Sequence, residues 1–253
     1  MSAVVLALMV AASTGKPPTG AFGPGEQITY KVTWLGLPAG MAEVTVGAEV
    51  PERAGTLPIV TKGQSDLVIY PIRDKIISWW DPAAGRSRGL EMYQDENHKR
   101  RRLRIDFDGD DGKARVLRQV EGEPAQKSEI EVPAGAVDVA TAVFFLRAAR
   151  LADGDELSMP IFTGTKVFKG IARVASRGPV DTALGPVNAV RVTLRTEFSG
   201  KLSARELRMW FSDDEAHIPV RMEADFSLGP VVVEWTDYKA GRPLDPSTMA
   251  QGR

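Results

Sequence analysis

From Gln27 onward, apolar and polar residues alternate with the period of two that a half-buried β-strand requires. Ile28, Tyr30, Val32 and Trp34 share one face, and Gln27, Thr29, Lys31 and Thr33 the other. The stretch L-G-L-P-A-G at 35–40 is a turn, and Ala42, Val44, Val46 and Ala48 form the return, so the first pair is a β-hairpin. The same reading predicts strands over 57–65, 66–70, 75–81, 86–93, 99–107, 114–120 and 127–132. The turn D-G-D-D-G at 108–112 links two of them. Alternation resumes over 157–161, 166–175, 187–196, 203–211, 217–226 and 231–238. Trp210 fits poorly, because strict alternation groups it with Glu206 and Arg208, opposite Leu207, Met209 and Phe211.

One window breaks this period. Between Asp138 and Leu151 (D-V-A-T-A-V-F-F-L-R-A-A-R-L), Val139, Ala142, Val143 and Leu146 fall on one helical face. Phe144, Phe145, Ala148 and Ala149 carry apolar surface round most of the circumference, leaving only Thr141, Arg147 and Arg150 polar. Asp138 suits the cap and Asp153-Gly154 the stop. A helix apolar nearly all round is buried on several sides. At about 20 Å it is too short to span a bilayer. About a dozen strands cannot stay flat in one sheet. The predicted fold is therefore mainly β: a large curved antiparallel sheet or open β-barrel wrapped around one buried α-helix. No internal repeat and no strand–helix alternation argues for another class.

The domain plan follows. Residues 1–15 read as a signal peptide, with the apolar run V-V-L-A-L-M-V-A-A at 4–12 and Val10-x-Ala12 suited to cleavage. The basic n-region is missing, one explanation being a translation start upstream of Met1. Residues 16–25 are a Pro/Gly linker, 26–239 a single β-rich domain, and 240–253 a polar, disordered tail. The expected location is periplasmic. Hydrophobic residues at 43% and charged residues at 26% are ordinary for a globular chain. Lys+Arg 32 against Asp+Glu 33 leaves a net charge of −1, with no field to favour nucleic acid. The lack of cysteine removes disulfides, thiolate metal sites, cysteine nucleophiles and a lipidated cysteine anchor together. No apolar run reaches the length of a transmembrane helix.

Candidate chemistry is sparse. His98 and His217 are the two histidines. The segment S-D-D-E-A-H ending at His217 sits between strong strands, where a solvated turn needs such residues. The D-G-D-D-G turn lacks the remainder of a calcium loop. No G-x-S-x-G, phosphate loop or dinucleotide fingerprint occurs. No catalytic residue, cofactor or metal ligand is singled out. Two clusters stand out for binding. Trp34, Trp79, Trp80, Phe144, Phe145 and Trp235 could line an apolar pocket, although aromatics most often build cores. Lys99, Arg100, Arg101, Arg102 and Arg104 form the sharpest basic cluster and could make an anionic surface contact. Asp106, Asp108, Asp110 and Asp111 follow to neutralise it, so a solvated edge strand is the plainer reading.

Two stretches carry a family likeness. F-x-P-G-E-x-x-x-Y at 22–30, followed by Ala39-Gly40, opens the domain, and W-x-S-D-D at 210–214 with I-P-V-R at 218–221 closes it. Between them lie Asp138, F-F-x-R at 144–147 and Gly154-Asp155. In this order the chain resembles the bacterial cell-envelope family known as domain of unknown function 3108, over about Phe22 to Tyr238. The resemblance implies an exported, β-rich protein of Gram-negative bacteria and carries no catalytic residues with it. The expected function is non-enzymatic binding of a lipid or acyl chain in the concavity of the sheet. The alternative is an envelope interaction or assembly factor, with another envelope protein as partner. A carboxylate-dependent glycan hydrolase is the third reading.

Overall fold

The computed structural model describes residues 21–65, 67, 71–108, 112–196, 206–226, 229–242 and 244. The expected signal peptide, the first half of the linker, most of the strand expected over 66–70, the centre of the D-G-D-D-G turn and most of the tail lie outside the described residues.

The strands are β1 (Gln27–Trp34), β2 (Leu37–Val46), β3 (Leu57–Ser65), β4 (Ile72–Asp81), β5 (Arg86–Glu96), β6 (Lys99–Asp108), β7 (Lys113–Val120) and β8 (Gln126–Glu131). The helix α1 (Thr141–Ala148) follows. Then come β9 (Glu156–Phe162), β10 (Val167–Thr182), β11 (Gly185–Thr196), β12 (Leu207–Ser212), β13 (Pro219–Phe226) and β14 (Gly229–Lys239). All belong to one 14-stranded antiparallel sheet in the order β8-β7-β6-β5-β4-β3-β2-β1-β14-β13-β12-β11-β10-β9. Two meanders are thus joined where β1 pairs with β14, in a register such as Val32 opposite Val233. The curved antiparallel sheet around a buried helix is the fold the hydrophobic pattern predicts.

Alternation supplies the concave face, with Ile28, Tyr30 and Val32 from β1 and Met209 and Phe211 from β12 all buried. Register shifts at Thr29/Tyr30, Val32/Thr33, Trp79/Trp80, Val174/Ser176 and Trp210/Phe211 bend the strands. The last of these sits where Pro219, which lacks an N–H to give, pairs with Phe211. Trp210 points outward, with the guanidinium groups of its register partners Arg191 and Arg221 stacked 5.7 and 5.9 Å from the ring centre.

The two edges of the sheet do not pair with each other. The turn after β9 instead lies on the concave face of β6. A side chain at Gly164, where φ is 87°, would meet Leu103 at 3.0 Å and Ile105 at 3.3 Å. Phe162 also meets Phe107 edge-on, with ring centres 6.0 Å apart. The sheet therefore closes by overlap, like a scroll. Outside the overlap, β8 carries Lys127, Glu129 and Glu131 on an exposed edge, and such charges discourage pairing with a further strand.

Helix α1 is shorter than the 138–151 span its pattern predicts. Asp138 does cap it, its Oδ1 accepting from the N–H groups of Ala140 at 2.8 Å and Thr141 at 3.0 Å. The expected stop at Asp153-Gly154 lies too far on: Ala149 already has extended backbone (ψ 153°), and Gly154 (φ 81°) shapes the turn into β9. The helix ends early because Arg147 is tied down. Its guanidinium meets both carboxylate oxygens of Glu26 at 2.7 Å, and its carbonyl lies 3.1 Å from His217 Nδ1. Every residue of the helix is buried.

Candidate functional site

Strand direction sorts the turns between two ends of the scroll, those after odd-numbered strands at one and those after even-numbered strands at the other. The even end is closed. There Arg147 and Glu26 pair in the interior, the rings of Phe22 and Phe144 cover the guanidinium at 4.9 and 5.1 Å, and Tyr238 donates to Glu26 Oε1 at 3.2 Å. Burial and the Glu26 charge push the Tyr238 hydroxyl up to about 12, so it stays a donor. Burial likewise lowers the His217 pKa, which keeps the imidazole neutral against the Arg147 carbonyl.

The odd end holds a pocket of about 240 Å³. Its floor is apolar: Leu90 and Met92 from β5, Ile105 from β6, Val139 before the helix and Phe162 from β9. Its rim is polar, formed by Gln94, Arg101 and Arg118 on one side and Thr163 and Thr165 of the β9–β10 turn on the other. Register explains the two arginines. Arg101 has the parity of Leu103 and Ile105, and Arg118 pairs with Leu103, so both lie on the concave side.

Behind the rim is a buried acidic pair. Gln94 Nε2 donates to Glu96 Oε1 at 2.7 Å and to Asp74 Oδ2 at 3.4 Å, and Arg101 lies 3.9 Å from Glu96. Burial pushes the Asp74 carboxyl up to about 7, and the neighbouring Glu96 charge adds to this. Asp74 Oδ1 is buried without a hydrogen-bond partner. Neither carboxyl lines the pocket. Among the described residues no cluster of three or more potential metal ligands occurs.

Two larger depressions lie on the convex face. One, of about 410 Å³, is lined by Met41, Glu43, Lys62 and Tyr93, and the other, of about 480 Å³, by Arg104, Asp106, Arg115 and Glu129. Both are open, and each holds a matched pair: Lys62 with Glu43 at 2.9 Å and Arg104 with Asp106 at 2.8 Å.

The six aromatic candidates do not gather round the pocket. Trp80, Phe144 and Phe145 are core residues, with Trp80 and Phe144 both packed on Phe22. Trp79 faces outward beneath the Arg53 guanidinium at 5.3 Å. Trp34 is partly buried against the core, and Trp235 donates from Nε1 to Thr182 Oγ1 at 2.9 Å. The basic cluster divides between the faces. Arg100 meets Asp95 at 3.2 Å and Glu121 at 3.4 Å, Arg102 stacks on Tyr93 at 5.7 Å, and Arg104 meets Asp106, all on the convex side. Lys99 is exposed opposite Glu96; Arg101 and Arg102 both line the pocket, Arg101 from the concave side and Arg102 although its guanidinium lies over Tyr93. Arg118, Gln94 and the Asp74–Glu96 pair were missed, although the inward parity of Arg118 was readable in the β7 alternation.

Fold and site together define a β-barrel-like protein plugged at one end and cupped at the other. Among the described residues no helix is long and apolar enough to cross a membrane. The chain belongs to the protein family of unknown function DUF3108, which matches residues 29–236. The fold is similar to that of a β-barrel-like protein of the domain of unknown function DUF1849 from Brucella abortus. That likeness has a TM-score of 0.57 at 11% identity, over 85% of this chain and 97% of the other. A protein described as exported, from Bacteroides fragilis, aligns over 88% of this chain and 100% of its own at 10% identity, with a TM-score of 0.34. One described as a lipoprotein, from Parabacteroides distasonis, aligns over 87% and 99% at 12% identity, with a TM-score of 0.33. At those scores the last two carry no argument. No curated protein matches the chain.

Proposed function

We propose that this is an exported, non-enzymatic protein of the Gram-negative cell envelope that holds a lipophilic molecule in the concavity of its sheet. The observation that carries the reading is the pocket at the odd end, where apolar side chains form the floor and the polar groups stand at the rim, the usual layout of a small-molecule site. Export rests on the apolar run at 4–12, and the envelope on the resemblance of the opening and closing motifs. Binding is favoured over catalysis by the lining: its polar groups are guanidinium, amide and hydroxyl, while the nearest carboxyls sit behind them. The convex arginines support a surface-acting role less well, because Arg100 and Arg104 already have acidic partners.

The test is uptake. Protein stripped of lipid by detergent exchange is expected to bind a fluorescent fatty acid and to show one adduct by native mass spectrometry. Val120→Trp, which narrows the pocket from its wall, is expected to reduce that uptake. A stripped protein that takes up nothing, or a Val120→Trp variant that binds as well as the parent, overturns the reading.

A further inference from the structure

We infer that the occupant of this pocket is an anionic amphiphile with one short apolar chain, its head group held between Arg101 and Arg118; this rests on the binding reading above. Charge complementarity carries the argument. Arg101 pairs with Val120 and Arg118 with Leu103, so the two arginines are diagonal neighbours on adjacent strands and the same face. Two like charges on one face at this spacing favour an anion that both can reach. Glu96 partly counters Arg101, at 3.9 Å, but Arg118 makes no ion pair among the described residues.

One flanking group points the same way. Thr165 brings a hydroxyl donor to the far side of the rim, whereas the Thr163 hydroxyl is donated to the Lys166 carbonyl at 3.3 Å and the Gln94 amide N–H groups go to Asp74 and Glu96. An ammonium head would meet two guanidinium groups first, with the carboxyls set behind them. A carboxylate or phosphate is the head whose oxygens match a guanidinium fork. A pocket of about 240 Å³ suits an apolar part on the order of eight carbons, at about 30 Å³ for each methylene.

Calorimetric titration of the full, lipid-stripped chain with octanoate, octyl phosphate, 1-octanol and octyltrimethylammonium tests this. At least one anion is expected to bind about tenfold tighter than octanol, with the cation weakest, a preference that added salt erodes. Which anion wins identifies the head. The Arg101→Gln/Arg118→Gln double variant is expected to weaken anion binding about tenfold more than octanol binding. Octanol binding as tightly as both anions overturns the head-group inference while leaving the container reading intact. So does a double variant that weakens octanol and anions alike, since it has lost packing and not charge. If none of the four binds, both are overturned.

Discussion

Arg147 shows how much one residue can hold. Its charge is fully buried, satisfied by Glu26 through two 2.7 Å contacts and by the carbonyls of Ala21 at 3.2 Å and Ala216 at 3.1 Å. Those contacts tie the helix to the start of β1 and to the loop before β13. Removing one partner of such a pair leaves a charge stranded in the interior. Glu26→Gln is therefore expected to lower stability by about 3 kcal/mol, read from the urea midpoint; a loss below about 1 kcal/mol would mean that water reaches the site. Gly40 acts by size: a Cβ there would overlap the backbone carbonyl of Gln64 on β3. Gly40→Ala is expected to cost about 2 kcal/mol and to lower the melting temperature accordingly. Legibility at this scale was uneven. The inward parity of Arg101 was available from Leu103, Ile105 and Phe107 but was hidden by treating five basic residues as one cluster. The partner of Arg147 was not readable at all, lying 121 residues away with nothing local to mark it.

The helix and its cap form one unit with β4 and β5. Asp138 Oδ2 accepts hydrogen bonds from the hydroxyls of Ser78 and Ser87, while Oδ1 takes two helix N–H groups. Asp138→Ala is expected to destabilise by about 2–4 kcal/mol, since it uncaps the helix, strands the buried Ser78 hydroxyl and leaves that of Ser87 with Gly89 alone. Thermal unfolding measures it, and a change under 1 kcal/mol would count against so tight a coupling of helix to sheet. That a buried helix existed was plain from its composition. Its bounds were not, because the Arg147 anchor and the extended Ala149 end it, and neither is a propensity. Similarly β10 runs on to Thr182, well past the predicted 175, because its polar far half still pairs with β11 through Asp181 opposite Pro186. Past 175 only Val180 carries an apolar side chain to the core, too little alternation to read.

For the molecule as a whole, the buried acidic pair sets a pH dependence. The Asp74 carboxyl rises from 3.8 to about 7 in the folded state. Between those values the folded chain keeps a proton that the unfolded chain releases, so this group favours folding most at the acid end and less as pH climbs. The unfolding midpoint of the parent is expected to fall from pH 5 to pH 7.5 more steeply than that of Asp74→Asn. Parallel profiles would show that the pair does not hold the proton. The sheet as a single curved layer was legible from the strand pattern. Its overlap was not, since Gly164 meets Leu103 and Ile105 across the sheet, without a strand pairing to announce it.

That overlap has a mechanical consequence. Closed barrels are laced by a ladder along their seam, and widening one means breaking rungs. Between β6 and the β9–β10 turn the join is a lap of side chains around Gly164, and the outer edge of β9 is tied by backbone to Val137, whose N–H donates to Pro160 and whose carbonyl accepts from Phe162. A seam of that kind has few rungs to break. Loosening the cupped end is therefore expected to cost less than opening a fully laced barrel of the same size.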